Sequence, residues 1–228
     1  LVKTLERLGI ADNTMIVFCS DNGPVLDDGY KDGAVEENGD HSPNGPYTGG
    51  KYSVYEGGTR TPFITWWPGK IKPAVSEEVV CTIDLAASFA SMADIDLPAD
   101  GILDSIDVHK ALLGESGAKG RNHLVQQDNG KGGNYGLRVG DWKLQRHDSG
   151  KSRNIVVTNR LANTEVAHYR LYNLDSDPEE KNNLASEMPE KLAEMKQKFF
   201  EVWKGIEAEG PRDWWENEPP RKKKKAKK

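Results

Sequence analysis

The sequence predicts an α/β fold followed by a small antiparallel sheet with one covering helix. Residues 14–19 (TMIVFC) form a continuous apolar run that is typical of a buried parallel strand. After residue 123 the pattern changes to short strands separated by turns, and residues 189–208 place apolar side chains at helical spacing. A chain of 228 residues can bury one large core, or one core with a small appendage.

The first part of the chain alternates between helix and strand patterns. An opening helix over residues 1–8 has no initiator methionine or signal peptide before it, so we expect the chain to begin within an element. Residues 25–50 are rich in glycine, aspartate, asparagine and proline, which predicts a long, irregular loop. The other elements predicted here are a strand over 62–67, a helix over 84–92 capped by Thr82 or Asp84, and a short helix over 107–113 closed by Gly114.

The second part of the chain predicts strands over 123–127, 135–139, 142–146 and 170–173, with a turn at Gly140-Asp141. The last helix has Pro189 at its start and Gly210 beyond its end. We therefore divide the chain into an α/β part at 1–122, a small-sheet subdomain with its helix at 123–210, and a tail at 211–228.

The tail is strongly basic, whereas the rest of the chain is acidic. Removing the seven positive charges of the tail from the total of -5 leaves -12 for the other residues. A run of like charges without apolar residues predicts a disordered tail. Because an acidic body repels phosphate, we favour a solvated tail over one that binds nucleic acid. No apolar run approaches the length that spans a membrane, so no membrane span is expected.

The two cysteines, Cys19 and Cys81, lie in apolar, strand-like contexts. Neither has a second cysteine at the spacing that metal sites use. We therefore expect two buried free thiols.

Asp21 and Asn22 follow directly after the predicted strand at 14–19. Sites in open α/β sheets form at the carboxyl ends of strands, which is where these two side chains are expected. A carboxylate and an amide oxygen at adjacent positions suit a hard divalent cation such as Ca²⁺. The same Asp-Asn-Gly sequence is also common in plain structural turns, and this fragment alone favours the turn.

A second motif places Lys51 after Gly49-Gly50, with Arg60 nine residues later. Glycines let backbone approach a ligand closely, and a lysine at such a place can pair with an anionic group. On its own the motif is better explained as a glycine-rich surface loop with a solvated lysine.

In combination, these motifs resemble the type I sulfatases, which depend on formylglycine, and the resemblance reaches to about residue 203. It implies that the chain corresponds to the latter half of an alkaline-phosphatase-like sulfatase domain, followed by that family's C-terminal subdomain. The motifs that carry it are Asp21-Asn22-Gly23, Gly50-Lys51, Glu56-Gly57-Gly58, Arg60, Pro62, Trp67-Pro68-Gly69, Cys81-Thr82-Ile83-Asp84-Leu85, Leu171-Tyr172-Asn173-Leu174, Asp177-Pro178 and Asn182-Asn183-Leu184.

The resemblance implies hydrolysis of sulfate esters by a cysteine- or serine-derived formylglycine, with a divalent cation holding the sulfate. Asp21 and Asn22 are implied metal ligands, for Ca²⁺ or alternatively Mg²⁺, and Asp21 is also implied to take a proton from the aldehyde hydrate. Lys51 is implied to bind a sulfate oxygen and to assist the leaving group. A cation and a preorganised ammonium stabilise the charge that develops there. Glu56 and Arg60 are interpreted as structural.

Several parts of a sulfatase site have no counterpart in this sequence. The family's nucleophile lies in a Cys/Ser-x-Pro/Ala-x-Arg motif, which neither Cys19 nor Cys81 fits. The family's N-terminal Asp-Asp pair of metal ligands is also absent. Since Ca²⁺ takes six to eight oxygen ligands, Asp21 and Asn22 alone predict weak metal binding.

The substrate is predicted from polar residues in the loops. His41 and His123 are candidate substrate-binding residues together with Lys51, and Gln127 and Asp128 lie near His123. Each is also explained as an ordinary surface or structural residue. A sulfated small molecule, or a sulfated polysaccharide or glycan, would suit the polar loop at 40–47. By resemblance the protein is expected in the periplasm, outside the cell or in the lysosome, with any signal peptide ahead of this chain.

Two rival functions remain open at this point. One is a phosphate or phosphonate ester hydrolase of the alkaline phosphatase superfamily, which the sulfatase-like block from Gly50 to Arg60 disfavours. The other is a non-catalytic remnant that binds carbohydrate, which the missing nucleophile favours for this chain alone. The sequence upstream of residue 1 would decide the first alternative, and turnover of a chromogenic sulfate ester by the purified chain would rule out the second.

Overall fold

The computed structural model describes residues 1–25, 32–98, 102, 104–128, 134–148 and 166–208. Its helices are α1 (Val2–Arg7), α2 (Ala34–Asn38), α3 (Glu56–Thr59), α4 (Asp84–Met92), α5 (His109–Leu112) and α6 (Pro189–Ala208), with a 3-10 turn at Ala11–Asn13. Its strands are β1 (Ile16–Cys19), β2 (Phe63–Trp66), β3 (Leu124–Gln127), β4 (Asn134–Val139), β5 (Trp142–His147) and β6 (Tyr169–Asn173). The mixed α/β class is confirmed. The division into domains at 122 and 210 stays a prediction, and the tail at 211–228 lies outside the described residues.

Strand β1 differs from its prediction in how it pairs with its neighbour and in how much of it is buried. It pairs with β2 in an antiparallel ladder, in which Phe18 lies opposite Ile64. Both side chains are largely exposed, at 63% and 55%. An apolar run specifies a strand, but the direction of its neighbour and the cover on its faces depend on segments distant in the chain. The prediction of a buried parallel strand was therefore wrong for the described part of the chain.

The cysteines are free, as predicted, but their expected burial is wrong. Cys19 is exposed at the end of β1, and Cys81 is partly buried. Cys19 shares the exposure of the strand that carries it, because β1 packs only against β2 among the described strands.

The second part of the chain is a four-stranded antiparallel sheet in the order β3-β4-β5-β6. The tight turn between β4 and β5 contains Gly140, whose φ of +56° is unfavourable for residues with a Cβ. Leu137, Leu144 and Leu171 lie side by side across β4, β5 and β6. The row packs against Met195 and Phe199 of α6, forming the buried apolar core. The predicted small sheet with one covering helix is present.

The opposite face of the same sheet is also buried, although it is polar. On β5 the residues that alternate with Leu144 are Lys143, Gln145 and His147, and all three are buried. This face packs against residues 48–56 of the α/β part through contacts described below. A polar alternation of this kind usually marks a solvent face, so its burial could not be anticipated from the strand pattern.

Short helices interrupt the regions predicted as loops. Helix α2 lies within the predicted loop at 25–50, and α3 occupies the glycine-rich motif. Helix α4 has the predicted bounds, but its N-cap is Ile83, whose side chain accepts no capping hydrogen bond, so the predicted cap at Thr82 or Asp84 was wrong. Asp84 instead accepts hydrogen bonds from the backbone N–H groups of Cys81 and Ile106 and pairs with Arg121. No helix in the described ranges has both the length and the apolar character needed to cross a bilayer.

Candidate active site

A cavity of about 370 Å³ is lined by some of the predicted functional residues, which come from three separate segments. Asp21 and Asn22 line it from the turn after β1, and Lys51 lines it from the glycine-rich motif. Gln127 and Asp128, at the end of β3, line it from the small sheet. The structure thus brings together residues as far apart in the sequence as Asp21 and Asp128.

Two backbone hydrogen bonds join the Asp21-Asn22 turn to the Lys51 segment. The N–H of Lys51 donates to the carbonyl oxygen of Pro24 at 2.9 Å, and the N–H of Gly23 donates to Gly58 at the same distance. These bonds hold the proposed metal ligands and the proposed sulfate-binding lysine at the same cavity. Their relative position is therefore set by main-chain contacts, which are stiffer than contacts between long side chains.

The glycines of the motif allow one backbone segment to approach another, and not only a ligand to approach the backbone as predicted. A Cβ atom on Gly57 would lie 2.5 Å from the carbonyl oxygens of Gly49 and Thr48. A Cβ on Gly23 would overlap the carbonyl group of Gly57. Both distances lie inside van der Waals contact, so side chains at these positions would push the two halves of the motif apart.

Tyr52 has a φ of +74°, which is a strained conformation for a residue other than glycine. Its ring lies 5.0 Å from Lys51 Nζ, measured to the ring centroid, within range of a cation-π contact. Both residues line the cavity. Strain of about 1–3 kcal/mol persists only where the surrounding structure enforces it, and such strain is concentrated at functional sites.

Asp21 and Asn22 offer oxygen ligands of the type that a hard cation prefers, but too few of them to complete its coordination. Asn22 Nδ2 donates to the carbonyl oxygen of Gly23 at 2.9 Å, a bond that does not use the amide oxygen. One carboxylate and one amide oxygen are suitable Ca²⁺ ligands, but they supply few of the six to eight that Ca²⁺ takes. Across the described ranges, no three His, Cys, Asp or Glu residues lie close enough to hold a metal. These two residues can therefore contribute to a cation site without completing one.

Glu56 lies at the centre of a buried ion network, as its predicted structural role requires. It is 2% exposed, and its Oε1 accepts a hydrogen bond of 2.7 Å from Lys143 Nζ. Lys143 Nζ also lies 3.0 Å from Glu180 Oε1. Arg60 and Arg138 each approach Glu56 Oε2 to 3.9 Å. Since the side chain of Arg60 is 40% exposed, the stronger partner of Glu56 is the buried Lys143.

Burial and charge act in opposite directions on the three buried groups. Burial alone would lower the pKa of Lys143, but the carboxylates of Glu180 and Glu56 raise it above the usual lysine value. Burial would raise the pKa of Glu56, but Lys143, Arg138 and Arg60 lower it. Burial raises the pKa of Glu180 despite Lys143, and the neighbouring Glu56 adds to the rise. Lys143, which lies between the two carboxyl groups, is therefore held in its charged form.

The two predicted histidines are less closely linked to the cavity. Within the described part of the chain, neither His41 nor His123 lines it, and His41 is exposed. Burial and the nearby Arg121 lower the pKa of His123, so this side chain is neutral at pH 7. Substrate binding by His41 and His123 stays a prediction.

A second, larger cavity of about 680 Å³ is lined by Asn22, Gly23 and Pro24 of the same turn. Arg60 and Tyr47 line it, and the guanidinium carbon of Arg60 lies 5.0 Å from the centroid of the Tyr47 ring. Part of the loop at 40–47 thus lines this cavity, whereas no described residue of that loop lines the Lys51 cavity. The residues that sequence reasoning missed are Lys143 and Glu180. Nothing in their local sequence marks them, since each contacts Glu56 only in the folded chain.

Known proteins that resemble this chain are sulfatases. Residues 1–95 match the family model described as Sulfatase. The chain is 40% identical over 195 residues to an N-acetylgalactosamine-6-O-sulfatase of Bacteroides thetaiotaomicron, a match that covers 86% of the chain and 37% of that relative. It is 30% identical over 209 residues to human arylsulfatase A, covering 86% of the chain and 39% of the relative.

A solved structure of a Bacteroides thetaiotaomicron protein, described in connection with the metabolism of multiple glycosaminoglycans, matches with a TM-score of 0.75 and 39% identity. This match covers 88% of the chain and 41% of the solved chain. The fold and the motifs thus define an alkaline-phosphatase-like sulfatase architecture. The resemblance to the type I sulfatases is confirmed, and the chain is part of a sulfatase-family sequence. It spans about two fifths of the length of the relatives it matches.

Proposed function

We propose that this chain is the part of a sulfuric ester hydrolase that provides a sulfate-binding lysine and two ligands of a divalent cation. The observation that carries the proposal is the meeting of Asp21, Asn22 and Lys51 at one cavity. The proposal is also supported by the relatives of the chain, which are named as sulfatases. A structural turn at Asp21 and a solvated surface lysine at 51 would have no reason to share a cavity.

Lys51 is the residue proposed to bind a sulfate oxygen and to assist departure of the leaving group. A fixed ammonium stabilises negative charge on the transferring sulfate more effectively than solvent, because it needs no reorganisation during the reaction. The main-chain bond from Lys51 to Pro24 and the strained Tyr52 beside it support such a preorganised position.

Asp21 and Asn22 are proposed to hold the cation, with Asp21 also accepting the proton of the nucleophile. When bound, the cation supplies charge that polarises the sulfate, and formylglycine, proposed to lie outside this chain, supplies the nucleophile. Ca²⁺ is the proposed metal because the ligands are oxygen atoms, and Mg²⁺ is the alternative. The remaining ligands are proposed to come from outside the residues described.

The proposed substrate class is a sulfated carbohydrate. Gln127 and Asp128 place amide and carboxylate groups on the wall of the cavity, where hydroxyl groups of a sugar would find hydrogen-bond partners. The name of the Bacteroides relative, an N-acetylgalactosamine-6-O-sulfatase, agrees with this class. We also propose a periplasmic, extracellular or lysosomal location, by analogy with the family.

The test is turnover by a full-length protein that contains this chain. We expect hydrolysis of 4-nitrophenyl sulfate or a 6-sulfated sugar, and little or no hydrolysis of 4-nitrophenyl phosphate. The matched control is the same protein with its formylglycine-forming cysteine or serine replaced by alanine, which should be inactive. Preference for the phosphate ester would replace this proposal with the phosphatase alternative. Binding of the sulfated sugar without turnover would favour the carbohydrate-binding remnant.

A further inference from the structure

The segment that carries Lys51 is attached to the small-sheet subdomain on both sides of the lysine. Before it, Thr48 Oγ1 donates to the carbonyl oxygen of Glu179 at 2.5 Å. After it, the N–H of Glu56 donates to Glu180 Oε2 at 2.6 Å. Arg170 of β6 adds a third contact, from Nη1 to the hydroxyl oxygen of Tyr55 at 2.5 Å. Residues 48–56 are therefore a loop whose two ends are attached to the other half of the structure.

Burial within the loop follows the same arrangement. Thr48 and residues 53–56 are buried, whereas Lys51 and Tyr52 are only partly buried and face the cavity. The ends of the loop thus belong to an interface, and its middle belongs to the site. Lys51 is separated from the attached residues Thr48 and Glu56 by only a few positions on either side.

Lys143 is the group on which these attachments converge. It is 0% exposed, and its ammonium contacts both Glu56, at one end of the loop, and Glu180, which accepts the N–H of Glu56. Gln145 Nε2 donates to the same Glu180 oxygen that Lys143 approaches, at 2.7 Å. Without Lys143, two buried carboxylates would face each other without the cation between them. Such a pair is strongly unfavourable in a site that excludes water.

We propose that Lys143 is a positioning residue, which acts through Glu56 and Glu180 to hold Lys51 at the cavity. The proposal rests on the function proposed above for Lys51. It assigns the small sheet an active part in the site, because an ammonium on β5 determines where the loop at 48–56 lies. Lys143 itself is not among the cavity-lining residues of the described chain and is not proposed to touch substrate.

Hydrogen exchange followed by mass spectrometry tests the attachment without any need for activity. In Lys143→Met, peptides covering residues 48–57 should exchange at least about tenfold faster than in the unchanged protein. The matched control is Leu144→Ala, the next residue on β5, which faces α6 and not the loop. In Leu144→Ala, exchange should become faster in peptides of β4 and β5, because the core of the small sheet is weakened. Exchange in peptides covering 48–57 should stay as in the unchanged protein.

A milder variant covers the case in which Lys143→Met fails to fold. Thr48→Val keeps the shape of the side chain but removes the hydrogen bond to Glu179, so exchange at 48–57 should rise in the same direction by a smaller factor. Unchanged exchange at 48–57 in folded Lys143→Met, or in Thr48→Val if the first variant is unfolded, would overturn the proposal.

Kinetics of the full-length protein give the second readout. In folded Lys143→Met, kcat should fall by about 10²-fold, the loss expected when a catalytic group is displaced by about 1 Å, with a smaller change in KM. Leu144→Ala should keep kcat near normal at a temperature where both variants are folded. Faster loop exchange with unchanged kcat would show that Lys143 does not position Lys51. An inactive unchanged protein would instead count against the proposed function, and the exchange data would still decide the attachment.

Discussion

Lys51 occupies a position that its own loop and the neighbouring turn both help to define. If its ammonium stabilises charge in the transition state, Lys51→Ala should lower turnover of a sulfate ester by about 10²-fold or more in the full-length protein. The measurement is kcat with 4-nitrophenyl sulfate, accompanied by a thermal melt to show that the variant is folded.

The matched control is Lys70→Ala. Lys70 is an exposed lysine whose Nζ lies 5.4 Å from the Trp67 ring centroid. It lines neither cavity described above, so its removal should leave turnover unchanged. Near-normal turnover by a folded Lys51→Ala protein would disprove the sulfate-binding role of Lys51. An equal loss of turnover in Lys51→Ala and Lys70→Ala would mean that removing any positive charge lowers activity, whatever its position.

At the scale of elements, helix α4 is attached to the rest of the structure by a buried ion pair. Arg121 Nε donates to both carboxylate oxygens of Asp84, at 2.8 and 3.0 Å, and both side chains are buried. Arg121→Met would leave the Asp84 carboxylate buried without its cation. The free energy of unfolding should therefore fall by about 3–5 kcal/mol, measured by urea denaturation.

A nearby surface pair provides the comparison for this prediction. Lys119 Nζ lies 3.0 Å from Glu78 Oε1, but the lysine is exposed to solvent. Lys119→Ala should leave the denaturation midpoint close to that of the unchanged protein, because solvent weakens exposed pairs. Equal losses of stability in Arg121→Met and Lys119→Ala would mean that burial does not make the Asp84–Arg121 pair more important to stability than an exposed pair.

At the scale of the whole molecule, the cation site is predicted to be shared between this chain and the rest of a longer protein. Asp21 and Asn22 supply only part of a Ca²⁺ coordination sphere. Calorimetric titration should therefore show much weaker Ca²⁺ binding by this chain than by the full-length protein. A chelator should abolish turnover by the full-length protein, and added Ca²⁺ should restore it.

Two outcomes would contradict the shared site. Tight Ca²⁺ binding by the chain alone would mean that residues of this chain complete the site. Turnover that survives complete removal of divalent cations would remove the basis for assigning Asp21 and Asn22 as ligands. The Asp21→Ala variant of the full-length protein provides the link between the two measurements, because it should lose both Ca²⁺ affinity and turnover.

The sequence by itself determined most of the local structure. The bounds of α4 and α6 and the presence of β2 to β6 agree with their predictions, because helix periodicity, caps and turn residues act over a few neighbouring positions. The joint motif order was also sufficient to identify the sulfatase family. Asp21, Asn22 and Lys51 were selected on that basis, and the structure places them at one cavity.

Only the tertiary structure decided which faces are covered and which charges meet. The apolar β1 is exposed on Phe18, whereas the polar face of β5 is buried around Lys143. Neither result follows from hydrophobic patterning, because the element that covers a strand is supplied by a distant part of the chain. Glu56, Lys143 and Glu180 are separated by 87 and then 37 positions, and each has an ordinary local sequence. A buried cation between two carboxylates is stable only when all three groups are brought together, and that condition depends on the packing of one half of the structure against the other.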